Sequence, residues 1–422
     1  MTAHQAPPPH AASAAEQRFW FAEQLTPGAR ANLAAARIHL TGPVDLELLQ
    51  HSLDAVRQRH DALRTAFRIQ DDQLVRSVRA TPVTSPVARL APGTTPDDAF
   101  TALAARPFDL DRADVQRAAI VQEDEEADLF LLFHHAVFDG LSDEVLAADL
   151  ATAYAQGAST GTAPVLPQRR RSAAPVLRAE RRTELVAKWR AVLDAVPDLP
   201  HEGAELSQRD LAMDSTERQR FGVPEELAER LRTAARGQAV SPYGLLLAAY
   251  GRALGEVGGA TDFCVGIPVA TRTAEQDDEV GCLLNTVPVR MRAPSTPGGL
   301  QRVWNGVIDA VDGVELPFDQ IVRACRPQRT RRMPLYQALF TFQNWPRPAR
   351  EVGGTQLRSV STGPFGNQSE VLMELHDLGD GPLSGLIQAP THGHWAKRLG
   401  DLRAAFDHHL EVLAENVEGD SR

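Results

Sequence analysis

The spacing of hydrophobic and polar positions predicts helices and strands that alternate along the chain. Apolar residues recur at helical spacing over 45–60, and the segment 129–133 is apolar throughout, which is typical of a strand buried on both faces. Ser13 and Glu16 match a capping box, so a helix is expected to run from there to Leu25. Further helices are predicted over 142–155, 180–193 and 394–415 and from Ser241–Pro242 onward, and strands over 63–69, 74–78, 115–121, 262–266, 284–291, 338–342, 371–376 and 383–387.

This alternation indicates an α/β fold in both halves of the chain. A length of 422 residues is large for one hydrophobic core and comfortable for two. Residues 1–12 are rich in Pro and Ala and are expected to form a disordered tail. The stretch 157–175 is rich in Gly, Ser, Thr and Pro and lacks periodicity. We therefore predict domains over 13–160 and 179–418, joined by a linker over 161–178.

The composition argues against several classes of function. The net charge of −11 disfavours a global attraction to nucleic acid or to anionic membranes. No apolar run approaches the ~20 residues of a membrane helix, and no secretory signal follows Met1. Cys264, Cys282 and Cys325 show neither metal-binding spacing nor the pattern of a disulfide framework, so they are expected to be small core residues. The sequence predicts a soluble cytoplasmic protein without a metal site.

The most informative segment is His134–Gly140, which reads HHAVFDG and follows the buried strand over 129–133. It places two imidazoles at a strand end, in a loop that leads into a helix, where α/β folds commonly carry reacting groups. Histidine titrates near neutral pH and can accept or donate a proton. Adjacent residues of an extended segment point to opposite sides, so one imidazole is expected to face a substrate and the other to support the loop. A second pair, His408-His409, lacks this context and is expected to be solvated.

The HHAVFDG segment resembles the signature motif of the condensation domains of nonribosomal peptide synthetases, and other segments resemble that family's motifs in the same order. The resemblance covers about residues 13–416, and it is strong because several short motifs agree together. These segments are SAAEQRFWF from Ser13, RHDALRTAF from Arg59, GIPVATR from Gly266, VGCLLNT from Val280 with Arg290, LPFD from Leu316, and MPLYQ from Met333 with FQN from Phe342.

The resemblance implies two domains, each similar to chloramphenicol acetyltransferase, in a V-shaped pseudo-dimer with a central tunnel. It implies that His135 is catalytic, as a base or as a group that positions the attacking amine or hydroxyl. His134, Asp139, Gly140 and Arg272 would support the site, with Asp139 paired to Arg272 and Gly140 permitting a tight turn. Asn285, Thr286 and Arg64 are candidates to line the tunnel, although a packing role for the first two is as well supported.

The resemblance also implies the partners. The donor would be an acyl group on the phosphopantetheine arm of a carrier protein, with no tightly bound cofactor and no metal. The acceptor would be a small amine or alcohol or a second loaded carrier. Since no adenylation or carrier domain is attached, we expect a free-standing, monomeric enzyme that meets its carriers in trans. Two basic clusters could contact an acidic carrier, although solvated surface runs explain them as well: Arg169–Arg171, and Arg326, Arg329, Arg331 and Arg332.

Four alternatives accompany this interpretation. An epimerisation domain shares the histidine motif, but RHDALRTAF and VGCLLNT fit condensation better. A heterocyclisation domain would carry aspartates at His134 and His135 and is excluded. An acyl-CoA-dependent transferase of the same superfamily remains open, although the DFGWG motif of the plant type is absent. The last alternative is a non-catalytic docking module, which usually has a degraded histidine motif.

Overall fold

A computed structural model describes residues 10–83, 85–172, 176–203, 205–327, 330–377 and 381–415. Its helices are α1 (Ala14–Leu25), α2 (Leu46–Arg59), α3 (Pro96–Leu103), α4 (Ser142–Thr160), α5 (Ala179–Leu193), α6 (Gln208–Met213), α7 (Glu225–Gly237), α8 (Pro242–Gly258), α9 (Gly299–Asp312), α10 (Phe318–Cys325) and α11 (Leu399–Glu415). No helix within these ranges is long and apolar enough to cross a membrane.

The strands follow the same chain order. They are β1 (His10–Ala11), β2 (Leu33–Thr41), β3 (Thr65–Gln70), β4 (Gln73–Val78), β5 (Val87–Arg89), β6 (Gln116–Glu123), β7 (Glu126–His134), β8 (Thr216–Val223), β9 (Asp262–Ala270), β10 (Leu284–Arg292), β11 (Ala338–Gln343), β12 (Arg350–Val352), β13 (Thr355–Val360), β14 (Val371–His376) and β15 (Leu383–Pro390).

The first of two compact units contains the described residues up to 172 together with Arg272–Leu284 and Arg347–Gly366. Its main sheet has the strand order β12-β13-β2-β7-β6-β5, and a smaller sheet has the order β1-β4-β3. Alternate residues of β7 enter two different cores: Leu131 packs with α2 and α4, whereas Phe130 and Leu132 pack with α1 and α3. The predicted burial of this strand on both faces is therefore confirmed.

The second unit is built on one mixed sheet with the order β10-β9-β11-β14-β15-β8. Strand β11 runs parallel to β9 and β14, whereas β15 runs antiparallel to β14 and β8. Helices α5, α7, α8, α9 and α11 contribute to one large core with this sheet. Helix α8 is buried along most of its length, which explains its almost continuous apolar sequence from Leu245 to Tyr250.

The linear domain division differs from the observed one in two places. Residues 272–284 and 347–366 lie in the first unit, although the sequence places them in the second domain. They return through long-range hydrogen bonds and strand pairing, which local patterns do not reveal. Within the predicted linker, Arg169 forms a bridge with His60 and its N–H donates to the carbonyl of Arg59, so that stretch is held against the first unit.

The predicted disordered tail is wrong at its last residues. His10 and Ala11 form β1 and pair with Arg76 and Val75, and the N–H of Ala12 donates to the carbonyl of Leu74. The edge of β4 offers unpaired backbone groups, and this short segment satisfies them. The rest of the predicted tail, residues 1–9, lies outside the described residues.

Candidate active site

The HHAVFDG loop connects β7 to α4 through a short 3-10 turn. Strand β7 ends at His134, the turn covers His135–Val137, and α4 begins at Ser142. Phe138 folds back onto Phe133, with ring centroids 4.0 Å apart and an angle of 2° between the rings. This stack closes the loop on the buried strand and fixes where the two histidines lie.

His134 is fully buried and interacts within the loop and with helix α1. Its Nδ1 accepts a hydrogen bond of 3.2 Å from the N–H of Ala136. In the neutral ring the proton therefore belongs on Nε2. That atom lies 3.4 Å from Oε2 of Glu23. His134 thus has the position of a supporting residue, turned toward a carboxylate.

Glu23 is a buried carboxylate that sequence reasoning did not select. Its Oε1 accepts from the N–H of Gly28 at 2.7 Å, and its Oε2 accepts from the side-chain amide of Asn32 at 2.9 Å. Burial alone would raise the pKa of Glu23, but hydrogen bonding with His134, Gly28 and Asn32 holds that pKa below its ordinary value. Glu23 is therefore an ionised, buried carboxylate that lies beside His134 of the histidine loop.

His135 is the only residue of the segment 129–139 that is not classed as buried; it is half-buried. The ring of Phe19 on α1 stacks on the imidazole, with centroids 4.2 Å apart and an angle of 7° between the planes. Burial lowers the pKa of His135 to about 4, and the opposing effects of its own carbonyl group and of Asp139 are smaller. The imidazole is therefore neutral at physiological pH, and its unprotonated ring nitrogen can accept a proton from an attacking nucleophile.

Asp139 and Arg272 form the ion pair that the resemblance implies, with 2.7 Å between Oδ1 and a terminal guanidinium nitrogen. Both side chains are almost fully buried. Oδ1 also accepts from the backbone N–H of Ser142 at 2.9 Å, and Oδ2 accepts from the N–H of Leu283 at 2.9 Å. The carboxylate is thus held at the first turn of α4, where the helix dipole stabilises negative charge.

Ser142 extends this network and was predicted only as a helix start. Its hydroxyl donates to Oδ1 of Asp139 at 2.7 Å and accepts from the N–H of Gly281 at 3.0 Å. Arg272 also donates to the carbonyls of Gln276 and Glu279, at 3.0 and 2.5 Å. Together these bonds fasten the segment 272–284 to the histidine loop within the first unit.

The next two residues of α4 fasten the other returning segment. Asp143 accepts from Arg347 at 2.7 Å and from the hydroxyl of Ser359 at 2.6 Å, and Glu144 pairs with Arg350. Burial raises the pKa of Asp143 and outweighs the lowering by Arg347 and Ser359. The sequence suggested only that these acids suit the helix dipole, whereas the structure gives them specific partners.

The remaining predicted site residues occupy structural positions. Gly140 is exposed and lies in the turn before α4, and its role there stays a prediction. Arg64 is buried and donates to Asp61 at 2.7 Å and to the carbonyl of Arg79. These contacts support packing for Arg64, and its tunnel role stays a prediction.

Asn285 connects two of the motifs quoted above. Its side-chain amide donates to the carbonyls of Val314 and Leu316, both at 2.8 Å, and its oxygen accepts from the N–H of Phe318 at 3.2 Å. The side chain thus fixes the entry to α10, which favours the packing interpretation. Thr286 is buried on β10, and for both residues a place along a tunnel stays a prediction.

The basic clusters are only partly the surface runs that the sequence suggests. Arg171 pairs with the buried Glu16 at 2.6 Å, and Arg169 pairs with Asp278. Arg332 is buried and donates to both carboxylate oxygens of Glu370, at 2.6 and 2.8 Å. Of the cluster residues, Arg329 lies outside the described part of the chain. Arg170, Arg326 and Arg331 are exposed, so a carrier-binding role for these two clusters stays a prediction.

Metal-binding and thiol chemistry find little support in the described part of the chain. No group of three or more His, Cys, Asp or Glu residues that could hold a metal ion occurs there. Cys264 and Cys282 are buried and their thiol pKa values are raised far above the ordinary range by burial. Burial also raises the pKa of Cys325, to about 11, so all three thiols remain protonated at neutral pH.

A sequence signal for the overlooked residues did exist. Glu16, Phe19, Trp20 and Glu23 are the buried residues of α1, and they follow the i, i+3, i+4, i+7 spacing of one helix face. Two carboxylates on a face otherwise occupied by aromatic residues indicate buried charges with specific partners. Ser142 left no comparable signal, because its partner Gly281 is distant in the sequence.

The chain is similar to known proteins of one family. Residues 10–374 match the family model named Condensation domain. Phosphinothricin tripeptide synthetase PhsC of Streptomyces viridochromogenes is 32% identical over 361 residues, which cover 79% of this chain and 32% of PhsC. The chain spans about a third of the length of PhsC and of its companion PhsB.

Two solved structures show the same fold at low sequence identity. The starter condensation domain of rhizomide synthetase RzmA, solved with C8-CoA and Leu-SNAC, superposes with a TM-score of 0.79 at 17% identity, covering 96% of this chain and 94% of that one. The X-domain from teicoplanin biosynthesis, solved in complex with OxyB, gives 0.77 at 20% identity, covering 100% and 96%. The α/β fold predicted from the sequence is confirmed by these likenesses. On the strength of the family model and of PhsC, this chain belongs to the condensation domain family of nonribosomal peptide synthetases.

Proposed function

We propose that this chain transfers an acyl group from a pantetheine thioester to an amine or an alcohol, with His135 as the catalytic residue. The observation that carries the proposal is the environment of His135. It is a half-buried, neutral imidazole that directly follows β7, whose residues 129–134 are all buried. A neutral imidazole can accept the hydrogen bond of an attacking N–H or O–H group.

In the proposed reaction the nucleophile attacks the thioester carbonyl carbon. A C–N or C–O bond forms, and the proton of the nucleophile passes to Nε2 of His135, since Nδ1 is buried. Collapse of the tetrahedral intermediate breaks the C–S bond, and the proton passes from His135 to the leaving thiolate. The acyl donor arrives already activated, so the step needs no nucleotide and no redox partner. General-base catalysis of this kind contributes about 10²–10⁴-fold.

The supporting residues act through the loop. Asp139 and Arg272 neutralise each other and fix the turn into α4, and His134 and Glu23 fix the end of β7. Since Asp139 also opposes the lowering of the His135 pKa, its carboxylate favours the protonated imidazole that forms during the reaction. Positioning groups of this type lower the barrier by keeping the reacting atoms in an attack geometry.

The donor and acceptor classes follow from the family. We propose that the donor sits on the phosphopantetheine arm of a carrier protein and that the acceptor is a small amine or alcohol or a loaded carrier. The C8-CoA bound to the RzmA domain supports a pantetheine thioester as the shared donor chemistry, whether coenzyme A or a carrier presents it.

A docking module is the second candidate, because the X-domain shares the fold and was solved in complex with OxyB. The intact HHAVFDG segment and the half-buried position of His135 favour catalysis over docking.

The test is an acyl-transfer assay followed by intact-mass spectrometry. Acyl-pantetheine, acyl-coenzyme A and an acyl-loaded carrier are each offered with a panel of amines, alcohols and loaded acceptors. We expect transfer by the wild type and by His409→Ala, and loss of transfer in His135→Ala. Transfer from coenzyme A alone would indicate a coenzyme-A-dependent enzyme. A thioester that stays intact with every acceptor, together with stable carrier binding, would overturn the proposal in favour of docking.

A further inference from the structure

We propose that helix α1 positions both histidines of the active-site loop, with Phe19 fixing the plane of His135 and Glu23 fixing His134. In this account Phe19 and Glu23 are positioning residues, and only His135 touches the reacting atoms. The inference rests on the proposed function, since His135 is there the reacting imidazole. It adds a role for one helix face that neither the family motifs nor the sequence analysis assigned.

The spacing on α1 matches the two adjacent imidazoles. Phe19 and Glu23 are four residues apart and therefore lie on the same helix face. Phe19 stacks on His135 at 4.2 Å, and Oε2 of Glu23 lies 3.4 Å from Nε2 of His134. Adjacent side chains of an extended strand would point to opposite sides. The 3-10 turn that starts at His135 lets one helix reach both rings.

Helix α1 is itself anchored at both ends of this face by buried carboxylates. At its start, Glu16 is fully buried, accepts from the N–H of Ser13 at 2.6 Å and pairs with Arg171 at 2.6 Å. At its end, Glu23 accepts from Gly28 and Asn32. Apolar side chains would pack such a face with less cost than buried charges, so the carboxylates serve to define the position of the helix.

The stack also controls the chemistry of the imidazole. Phe19 is 4% exposed and covers one face of the His135 ring, which contributes to the burial that lowers its pKa. The charged and titratable groups that face His135 are Asp139 from its own loop, Arg18 from α1 and His134. Replacing the ring by an aliphatic side chain removes the flat contact and leaves these groups in place.

The experiment compares Phe19→Leu with Phe21→Leu, the same substitution two residues along the same helix. Phe21 is 51% exposed and its ring lies edge-on against Trp20, so it is a matched control. The readouts are a histidine-selective NMR titration of the full chain and the separate values of kcat and KM for acyl transfer. We expect Phe19→Leu to move the pKa of His135 from about 4 toward 6.5. We also expect kcat to fall by about 10–100-fold with KM little changed, as for a misplaced reacting group.

Glu23→Gln provides an independent test, because it keeps the shape of the side chain and removes its charge. We expect the Nε2–H signal of His134 to shift, and kcat again to fall more than KM rises. Identical titration curves for wild type, Phe19→Leu and Phe21→Leu would overturn the inference. If the wild type transfers no acyl group, the proposed function is overturned. The positioning role of α1 is tested separately, because the Phe19→Leu titration does not depend on acyl transfer.

Discussion

The chain contains two pairs of adjacent histidines, and their surroundings differ sharply. His134 and His135 end a buried strand and begin a 3-10 turn, with one ring fully buried and the other stacked on Phe19. His408 and His409 lie within α11, where His408 is exposed and Nε2 of His409 lies 2.9 Å from Glu256. The comparison shows that the element carrying a His-His pair, and not the pair itself, decides what the imidazoles can do.

The second pair also corrects one expectation. The sequence predicts that both of its histidines are solvated, which holds for His408 but is wrong for His409. The side chain of His409 is 12% exposed, because helix α11 packs against α8 and brings the imidazole to Glu256 of that helix. Burial lowers the pKa of His409 and Glu256 opposes that change, so this imidazole is held by a carboxylate at the protein surface.

The largest expected difference between the pairs is in activity. His135→Ala should reduce kcat/KM for acyl transfer by about 10²–10⁴-fold, the usual contribution of a general base. His409→Ala should leave kcat/KM within about twofold, because the imidazole of His409 is held by Glu256 within the second unit. Steady-state rates with an acyl-pantetheine donor measure both. Equal losses in the two variants would remove the distinction between the pairs.

The next effect concerns the ion pair that holds the histidine loop. Arg272→Gln leaves the buried carboxylate of Asp139 without its cation, and the free energy of unfolding should fall by roughly 3–5 kcal/mol. Thermal and denaturant unfolding followed by circular dichroism measure the change. Arg230→Gln is the control near the second pair, because its partner Glu411 on α11 is about half exposed and such pairs are worth about 0–1 kcal/mol. An equally small change for Arg272→Gln would contradict a structural role for the pair.

A smaller effect should appear in the dependence of stability on pH. The pKa of His135 in the folded chain is lowered from 6.5 to about 4, so between these values the unfolded chain binds more protons. The contribution of His135 to stability is therefore present above 6.5 and is lost as the pH falls toward 4. His135→Gln does not titrate, so its melting temperature should fall less than that of the wild type over this interval. Parallel curves for the two proteins would show that His135 has an ordinary pKa.

The smallest effect is expected at the partner of His409. Glu256→Gln replaces a half-exposed carboxylate, and we expect a loss of about 0–1 kcal/mol that shrinks further with added salt. Denaturant unfolding at low and high ionic strength measures it. A loss as large as that of Arg272→Gln would mean that both histidine pairs depend on buried ionic structure.

Helices and strands were predictable from the sequence where the pattern that defines the element lies within the element itself. The apolar run of β7, the capping box of Ser13 and Glu16 and the Ser-Pro start of α8 gave the correct elements in the correct places. Strand β2 was missed, although it pairs with β7 along its whole length. Its sequence LAAARIHLT contains three alanines, which have low strand propensity, so only its neighbours define it as a strand.

The site was predictable only as far as motifs could indicate it. The Asp139–Arg272 pair followed from the resemblance and is present, whereas the contacts of Ser142 with Gly281 depend on a fold that returns a distant segment. Phe19 stood inside a quoted motif without a role, because stacking on His135 depends on the direction of α1. Contacts between residues far apart in the sequence become visible only in the folded structure.

The most direct measurement is the single-turnover rate of acyl transfer as a function of pH, for wild type and His135→Ala. The nucleophile is chosen so that it stays uncharged over the pH range. Because the pKa of His135 is about 4, the wild-type rate should not decrease as the pH is lowered through 6.5. The variant should be slower by about 10²–10⁴-fold at every pH. A wild-type rate that falls with an apparent pKa near 6.5, or a variant as fast as the wild type, would contradict a neutral His135 as the catalytic group.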